Sequence, residues 1–405
     1  MTPAETRILL YSDSVYLHTG FARVTRTFGN YLVDRGYQVK QVGITAVGQG
    51  DDPVKFEVIT NDPNQDYWNH GGLRQTLRDW RPHILFTLLD DWMLAELPLM
   101  VERQGTVWIK YAPYDGEPMP RAWVPINYDA DILVAMADYG VRQLKKECPD
   151  RPVHLLYHGA DPAVFKPLGA EVKTRVRAEL GIPRDAWVVG FVSRFQPRKN
   201  APSAFKAFQL FHKNHKKDTH LLIRASRNDV GGDFMELLDR LDLADCTTIV
   251  DSHPAVGVPE ARLVEIYNAM DVTLHPSTGE GFGVTSCESR ACGVPAIVTN
   301  FSAMPDLVSG PEELARVKHR IVSARFIEQA YVDEQDMAQK IERFYSNKRL
   351  YADYSRRGRE RVEQIFNWSL ILPQMEAIIQ EGVSLAERQH GHPVWPHPLP
   401  LHLLP

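Results

Sequence analysis

The amino-acid sequence predicts an α/β protein built from two parallel sheets in tandem. Short apolar runs of strand length alternate with amphipathic helical segments, which is typical of βαβ units. The alternation occurs twice, before and after a segment in which Pro167 and Gly169 mark a linker. With 405 residues, of which 44% are hydrophobic, the chain has enough apolar material for two or three domains.

The first series begins with "TRILLYS", which reads as a strand, followed by the polar loop "DSVYLHTG". An amphipathic helix follows in "FARVTRTFGNYLVDRG", with apolar residues at helical spacing at Phe21, Val24, Phe28 and Leu32. Gly36 ends this helix, and "YQVKQVGI" is the next expected strand. Further strands are expected at 83–89, 107–112 and 132–137.

The second series predicts strands at 187–193, 220–225, 247–251, 271–276 and 295–300, with the helix "APSAFKAFQLFHKNH" between the first two. Helices then run from about Asp333 to Glu387. We therefore expect two Rossmann-like domains at 1–168 and 169–349, C-terminal helices at 350–385 and a Pro/His-rich tail at 386–405. Ligands of such sheets bind at the carboxyl ends of the strands, so a cleft shared by the two domains is the expected site.

Composition excludes several classes of protein. Net charge is −5, which argues against a protein that coats nucleic acid through bulk positive charge. No apolar run approaches the roughly 18 residues of a membrane span, and the first residues lack the basic leader of a signal peptide. The 4 cysteines show no CxxC spacing, so neither a zinc site nor a disulfide framework is expected. A cytoplasmic protein without a metal ion is predicted.

The stretch "HPSTGEGFGVTSCESRACG" carries the first chemical signal. It contains a strand-to-helix turn, "TGEGFG", whose glycines let the backbone approach a ligand at the amino end of a helix. Glu280 lies at the edge of the turn, and Glu288 lies one or two helical turns further on. Carboxylates accept hydrogen bonds from the vicinal hydroxyls of a ribose or hexose. Alone, each acid is more typical of a helix cap or a solvated helix face; as a pair on a phosphate-binding turn, they suit a sugar nucleotide.

A second signal, "GFVSRFQPRKN", places Arg194, Arg198 and Lys199 at the carboxyl end of another strand. Cations there would neutralise a diphosphate and stabilise it as a leaving group without a metal. A third signal is Thr19-Gly20 at the start of the first helix, where backbone amides can approach an anion. Neither G-x-G-x-x-G at this turn nor a GKS or GKT sequence is present, which weakens the case for a dehydrogenase or a P-loop NTPase.

Together these segments resemble the family 4 retaining glycosyltransferases, whose architecture of two Rossmann-like domains is called GT-B. The resemblance is strongest at "EGFGVTSCE" (280–288) and the "ACGVPAIV" that follows it. It extends to "EIYNAMDVTLHPS", "FVSRFQPRKN", "YHGADPAVFKP", "TGFARVTRTFGNYLVDRGYQV" and "IFNWSLILPQME", and so spans about residues 7–382. His158 stands where the family more usually has Asn.

The resemblance implies an acceptor domain at 1–168, a donor domain at 169–349 and a last helix that crosses back to the first domain. Glu280 would hydrogen-bond the donor sugar and Glu288 the ribose of the nucleotide. Arg194 and Lys199 would bind the diphosphate, which Gly20 would abut. Backbone amides around the sugar and phosphate would come from Gly281, Phe282, Gly283 and Val284.

The chain departs from the family pattern at the catalytic group. The family usually has a His in the first domain near the transferred sugar, but here the corresponding strand leads into "KYAPYDGEPMP". Asp115 is the candidate for this position, with Tyr114 beside it, although an Asp-Gly turn explains Asp115 equally well. We expect the acceptor near the strand ends of the first domain, with His18, Asp90, Asp91 and Trp92 as further candidates.

The sequence thus predicts a retaining, metal-independent glycosyltransferase that uses a nucleotide-diphosphate sugar as donor and needs no cofactor. The acceptor stays open between a glycan, a lipid, a small molecule and a modified nucleic acid. Three alternatives are a sugar-nucleotide epimerase, a non-catalytic sugar-nucleotide binder and a transferase acting on nucleic acid. The last would need a basic face, and the basic run "KAFQLFHKNHKK" is more simply a solvated helix surface.

Overall fold

The computed structural model describes residues 1–45, 53–94, 97–100, 102–103, 105–227, 229–251 and 257–389. The chain divides into two compact units: unit 1 contains Met1–Tyr157 and Ile371–Pro405, and unit 2 contains His158–Leu370. The predicted Pro/His-rich tail lies outside the described residues from position 390 onward. No helix in the described ranges is long and apolar enough to cross a membrane.

A seven-stranded parallel sheet forms the centre of unit 1, with the strand order β3-β2-β1-β4-β5-β6-β7. Its strands are β1 Arg7–Asp13, β2 Gln38–Ile44, β3 Glu57–Ile59, β4 Ile84–Leu88, β5 Val107–Ala112, β6 Ile132–Ala135 and β7 Val153–Leu155. The order reverses between β1 and β4, which makes this the topological switch point, where doubly wound sheets bind ligands.

The helices of unit 1 connect these strands. They are α1 Gly20–Asp34, α2 His70–Trp80, α3 Asp91–Leu94, α4 Leu97–Met100, α5 Val124–Asp129 and α6 Asp138–Glu147. The apolar face predicted for α1 packs as expected at Val24, Phe28 and Leu32, which are buried, whereas Phe21 is only partly buried. Thr19 caps α1, since its side chain accepts a hydrogen bond from the Ala22 N–H.

Unit 2 repeats the same strand order in a six-stranded parallel sheet, β10-β9-β8-β11-β12-β13. The strands are β8 Trp187–Val192, β9 Thr219–Ala225, β10 Thr247–Asp251, β11 Val272–His275, β12 Ala296–Thr299 and β13 Leu314–Ala315. A separate antiparallel hairpin consists of β14 Val317–Val322 and β15 Glu328–Val332. The switch point of the six-stranded sheet lies between β8 and β11.

The helices of unit 2 are α7 Ala170–Glu179, α8 Ala201–His212, α9 Met235–Arg240, α10 Glu260–Ala269, α11 Val284–Ala291, α12 Met304–Leu307, α13 Glu334–Ser346 and α14 Lys348–Gln364. An aromatic-rich core joins the sheet to α8, with Phe191, Phe205, Phe208 and Phe234 buried in it. Helix α8 contains the first part of the basic run "KAFQLFHKNHKK". Its apolar face packs in this core, and its basic residue Lys206 is exposed to solvent.

The last helix, α15 Trp368–Gln389, begins in unit 2 and belongs to unit 1 from Ile371 onward. A Cβ at Gly382 would lie 2.9 Å from Ile84 Cδ1, so the missing side chain lets α15 pack closely on β4. Glu376 accepts hydrogen bonds from Tyr31 Oη at 2.8 Å and from Arg35 Nε at 3.0 Å. These contacts fix the returning helix on unit 1, as the predicted fold class requires.

Sequence reasoning located the longer strands, including the edge strand β10, and missed the short or exposed ones. β3 and β7 are edge strands of three partly buried or exposed residues, too short to show a strand period. The hairpin β14–β15 was also missed, because β14 is almost entirely exposed and carries no sustained apolar run.

Candidate active site

The loops that leave β8 and β11 meet at the switch point of unit 2. These two strands pair through Val189 opposite Val272. In the loops beyond them, the Thr278 N–H donates a hydrogen bond to the Arg198 carbonyl oxygen at 2.8 Å. The two predicted motifs, 193–200 and 276–283, are therefore in direct contact at the position where such sheets bind ligands.

Two cations of the first loop converge on the carboxylate of Glu280 in the second. Lys199 Nζ lies 2.5 Å from Glu280 Oε1, and Arg198 Nη1 lies 2.8 Å from Oε2. Arg198 also donates to the Gly279 carbonyl oxygen at 2.6 Å. A 3-10 turn at Pro197–Lys199 positions both cations. Arg198 and Lys199 thus form an anion-binding pair, and the carboxylate of Glu280 is the anion that they bind in this structure.

Electrostatics keep Glu280 ionised although it is buried. Burial raises the pKa of the Glu280 carboxyl, but the charges of Arg198 and Lys199 and hydrogen bonds from Lys199 and Ser277 lower it further than burial raises it. The pKa therefore lies well below the ordinary value of 4.5. The Glu280 N–H is also held, since it donates to Ser302 Oγ at 2.9 Å.

The glycine turn between Glu280 and α11 is sterically required. Gly283 has a φ of 102°, in the left-handed region, and a Cβ there would lie 2.7 Å from Met304 Sδ. Phe282 is buried, with its ring centroid 5.3 Å from that of His158 and 5.6 Å from that of Phe366. The turn is therefore fixed against the unit 2 core, and Val284 begins the helix behind it.

Glu288 was expected on a helix surface that faces the ligand, but its side chain is buried. It is buried on α11, and its Oε2 accepts a hydrogen bond from Tyr267 Oη at 2.8 Å. Tyr267 lies on α10, and no sequence pattern indicates its pairing with Glu288. The carboxylate is held in one orientation by a neighbouring helix.

Arg194 does not contact Glu280 but is oriented by another acid. Its guanidinium makes a bidentate pair with Asp229, with Nε–Oδ2 at 3.0 Å and Nη2–Oδ1 at 2.8 Å. Burial raises the pKa of Asp229, but hydrogen bonds from Arg194 and backbone amides lower it below its ordinary value. Asp229 is a positioning residue that sequence reasoning missed, since it lies 35 positions away.

His275, the last residue of β11, is a further group beside this turn. Its Nε2 lies 2.9 Å from Thr273 Oγ1, and its Nδ1 lies 3.3 Å from Thr285 Oγ1. Burial, with the charges of Arg290 and Lys199, lowers the pKa of His275 to about 3. The imidazole is therefore neutral at physiological pH and joins β11 to the first turn of α11.

At the switch point of unit 1, Gly20 begins α1 after the loop that follows β1. A Cβ at Gly20 would meet nothing within 4 Å, so the space beside Gly20 is open. Thr19 Oγ1 donates to Asp13 Oδ2 at 2.6 Å and so joins the helix cap to the strand end. His18 is exposed in the same loop.

Of the strand-end acids in unit 1, Asp91 is withdrawn from solvent. It forms a buried ion pair with Lys110, whose Nζ lies 2.5 Å from Asp91 Oδ1. The same Nζ donates to Asn127 Oδ1 at 2.6 Å and to Tyr114 Oη at 2.9 Å. Asp91 and Tyr114, both predicted near the acceptor, are thereby members of one buried polar cluster in this structure. Asp115 follows Tyr114 and is partly buried.

Asp90 is partly exposed, and its neighbour Trp92 belongs to an exposed aromatic patch, which we define as Tyr67, Trp68 and Trp92. Trp92 packs edge to face on Trp68 at a centroid distance of 6.1 Å, and Trp68 packs likewise on Tyr67 at 4.9 Å. Tyr11 Oη of β1 donates to the Trp68 carbonyl oxygen at 2.8 Å and fixes the loop. Sequence reasoning found only Trp92.

Within the described residues, no group of three or more His, Cys, Asp or Glu side chains is arranged to hold a metal ion. Among the described residues, positive groups at the switch point of unit 2 follow β8. Arg194, Arg198 and Lys199 all follow β8, and Lys199 and Arg198 reach the turn directly.

Comparisons with solved structures and a family model bear on this geometry. The chain superimposes on sucrose-phosphate synthase from Thermosynechococcus elongatus with a TM-score of 0.72 at 19% identity, covering 93% of this chain and 99% of that one. Against Anabaena HepE in complex with UDP-glucose, the TM-score is 0.71 at 16% identity, covering 93% and 100%. The fold is GT-B. At these identities the likeness establishes the GT-B fold alone.

Residues 172–361, most of unit 2 of the GT-B fold, match the model of the family described as Glycosyl transferases group 1. A D-inositol 3-phosphate glycosyltransferase of Corynebacterium jeikeium is 30% identical over 189 residues, which cover 45% of this chain and 44% of that protein. One of Corynebacterium glutamicum is 29% identical over 274 residues, covering 64% and 60%. The chain spans about half the length of the curated relatives it matches.

Proposed function

We propose that this protein is a retaining glycosyltransferase of family 4 that transfers a sugar from a nucleotide-diphosphate sugar to an acceptor hydroxyl. The observation that carries the proposal is the convergence of Arg198 and Lys199 on Glu280 at the β8/β11 switch point. The match of residues 172–361 to a glycosyltransferase family model supports the same reading. We assign donor binding to unit 2 and acceptor binding to unit 1.

Donor binding exchanges one anion for another. The diphosphate takes Arg198 and Lys199 from Glu280, and the amino end of α11 adds partial positive charge. Glu280, released from its cations, then accepts hydrogen bonds from hydroxyls of the donor sugar. Arg194, held in place by Asp229, supplies a third cation. Three cations neutralise the leaving diphosphate, so the reaction needs no metal ion.

The nucleotide is held by its ribose. Ionised carboxylates accept two hydrogen bonds in a geometry that fits the two vicinal ribose hydroxyls. Glu288 supplies this carboxylate, and Tyr267 fixes its orientation through the hydrogen bond to Oε2. Because the carboxylate is already oriented, the nucleotide does not have to order it on binding.

In the chemical step, the bond from the anomeric carbon to the phosphate oxygen breaks and the acceptor oxygen bonds to that carbon on the same face. The acceptor proton passes to the leaving phosphate, whose charge the cations stabilise. Asp115 takes the position of the usual family His and orients the sugar at the reacting face. Exclusion of water from the site limits donor hydrolysis.

On the acceptor side, we propose that the aromatic patch stacks against a sugar ring of a glycan acceptor, with Asp90 beside it. Indole and phenol rings offer large apolar faces with a polar edge, which suits the alternating surfaces of a sugar. The open space beside Gly20 leaves room for a ligand at the same switch point.

The four thiols, unpaired in this structure, favour a reducing compartment such as the cytoplasm.

The proposal is tested with UDP-, GDP-, ADP- and TDP-sugars, each incubated with the protein and a panel of glycans. We expect release of one nucleoside diphosphate and a product whose anomeric configuration, read by NMR, equals that of the donor. Glu280→Gln and Lys199→Ala should each lower turnover about 100-fold, and Lys206→Ala, a surface control on α8, should leave it unchanged.

Three outcomes of that experiment contradict the proposal and identify its alternatives. A product of inverted configuration excludes the retaining mechanism. Conversion of a sugar nucleotide into its epimer without an acceptor identifies an epimerase. Binding of a sugar nucleotide without turnover, unchanged in Asp115→Asn, identifies a non-catalytic binder.

A further inference from the structure

The hairpin β14–β15 of unit 2 presents apolar side chains to solvent at its turn. Phe326 is 77% exposed, Val322 65% and Ile321 43%. Three of the 8 exposed large hydrophobic residues in the described chain thus lie within residues 321–326, which we call the hairpin tip. Single exposed apolar residues are ordinary on protein surfaces, but a cluster of them marks a contact site.

The conformation of Phe326 does not favour stability. Its φ is 61°, in the left-handed region, which bulky side chains rarely adopt and glycine adopts freely. The turn is closed by hydrogen bonds from the Ser323 N–H to the Ile327 carbonyl oxygen at 2.8 Å and from the Phe326 N–H to the Ser323 carbonyl oxygen at 2.9 Å. A glycine would suit this turn better, so Phe326 places an exposed phenyl ring at a position where the backbone disfavours it.

The base of the hairpin is rigid, so the tip projects from a fixed support. The His319 and Tyr331 rings stack with centroids 5.1 Å apart and an interplanar angle of 6°. The Arg320 guanidinium lies over the Phe301 ring at 4.7 Å. Ala330 is buried beneath these contacts. The exposed side chains therefore stand on an ordered structure.

The hairpin is basic in an acidic protein. Residues 317–332 contain three Lys or Arg residues, Lys318, Arg320 and Arg325, and one acid, Glu328, whereas the whole chain has a net charge of −5. Two of these cations are in surface ion pairs: Lys318 Nζ lies 3.2 Å from Glu334 Oε2, and Arg320 Nη1 lies 3.3 Å from Glu328 Oε2, so lipid phosphates would compete with these carboxylates for them. Apolar side chains flanked by basic ones are the composition of segments that lie in the interface of anionic membranes.

We propose that the hairpin tip binds an anionic lipid bilayer, with Phe326, Val322 and Ile321 entering the headgroup region and the basic side chains contacting the lipid phosphates. A stable interface with a protein, or with a second copy of this chain, needs roughly 20–30 residues on each side. The tip offers six residues on a narrow turn, so a bilayer, which surrounds a protruding group, fits it better.

The hairpin is also connected to the donor site. The Ala330 N–H donates to the Thr278 carbonyl oxygen at 2.8 Å, two residues before Glu280. Membrane binding at the tip therefore sets the distance between the glycine turn and the bilayer surface. This last consequence rests on the proposed function, whereas the membrane contact does not.

The test is co-sedimentation of the full chain with vesicles. Vesicles of phosphatidylcholine and phosphatidylglycerol in equal parts are compared with vesicles of phosphatidylcholine alone. We expect binding to the anionic vesicles that weakens as salt is added. Phe326→Gly should reduce this binding about tenfold, through the lost apolar contact. Arg325→Gln should reduce it roughly fivefold. Val230→Ser, at an equally exposed apolar residue outside the hairpin, should leave it unchanged.

Phe326→Gly also separates binding from folding, because relief of the left-handed strain should raise the melting temperature while binding falls. Absence of binding to both vesicle types overturns the proposal. So does equal binding by wild type and Phe326→Gly. Self-association in sedimentation velocity that Phe326→Gly abolishes would identify a second copy as the partner and overturn it as well. Each outcome is independent of whether sugar transfer is observed.

Discussion

The two units share one strand order but place an ion pair in opposite settings at their switch points. After β11, Glu280 holds Arg198 and Lys199, whose side chains are 31% and 19% exposed. After β4, Asp91 holds Lys110, and both side chains are only 1% exposed. A pair that solvent reaches can exchange its partner for a ligand more readily than a fully buried pair. Solvent access to the cation is therefore the difference between the two pairs on which the proposed donor site depends.

The largest effect in this comparison is expected at Lys110. Lys110→Met leaves Asp91 buried without its counter-charge and should lower the free energy of unfolding of unit 1 by about 3–5 kcal/mol. Urea unfolding followed by circular dichroism measures it. The double variant Asp91→Leu/Lys110→Met should recover most of the loss, because no charge remains buried. If Lys110→Met left the free energy of unfolding unchanged, the Asp91–Lys110 pair would be solvated, and the difference between the two ion pairs would not hold.

The matching change in unit 2 should affect activity rather than stability. Lys199→Met removes a diphosphate ligand and should lower turnover of the donor about 100-fold. Its unfolding midpoint in urea should barely move, since Arg198 remains beside Glu280. Lys206→Met is the control on the exposed face of α8. Equal losses of stability in Lys199→Met and Lys110→Met would mean that both pairs are structural.

Unit 2 should lose stability in mild acid. Burial lowers the pKa of His158 to about 3, against an ordinary value of 6.5. Between these values the unfolded chain carries a proton that the folded chain lacks, so stability falls as pH drops below 6.5. The contribution of one such group is about 1.4 kcal/mol per pH unit.

His158→Phe should remove the contribution of one imidazole from this dependence, which is measured by thermal unfolding between neutral pH and pH 4. His220 and His275, whose pKa values burial lowers to about 4 and about 3, retain their contributions. Glu280 contributes in the same direction but at lower pH. Its lowered pKa gives stability that is fully present above 4.5 and is lost only in stronger acid. An unchanged pH slope in His158→Phe would show that this imidazole is protonated in the folded state.

The smallest effect is expected at the aromatic patch of unit 1. Trp92→Ala should raise the KM for a glycan acceptor roughly fivefold, because it removes one stacking face, and should leave kcat and the donor KM unchanged. Leu370→Ala, at another exposed apolar residue, is the control. If Trp92→Ala changed the KM for the donor instead, the assignment of the aromatic patch to the acceptor site would be wrong.

Much of the fold was predictable, because most of the longer strands are apolar runs that alternate with helices. The strands predicted at 107–112 and 247–251 appear with these bounds, and the strand predicted at 187–193 appears as Trp187–Val192. The short edge strands β3 and β7 and the exposed hairpin were not predictable, since they lack a sustained apolar pattern.

The two segments that follow β8 and β11 were recognisable from their residue types, but the partners of their charged side chains were not. Arg198 meets Glu280 across 82 positions, and Arg194 meets Asp229 across 35. Contacts of this kind depend on the strand order. The acceptor-side expectation for Asp91 shows the same limit. An acid at a strand end is equally compatible with solvent and with a buried lysine, and only the packing around Lys110 separates the two.

The central claim is that a diphosphate displaces Glu280 from Arg198 and Lys199. Calorimetric titration of UDP, GDP, ADP and TDP into wild type and Glu280→Gln tests it most directly. We predict that one nucleotide binds, that Glu280→Gln binds it more tightly because the cations are free, and that Lys199→Ala binds it more weakly. Weaker binding in Glu280→Gln, or no binding of any nucleotide to wild type, would contradict the account.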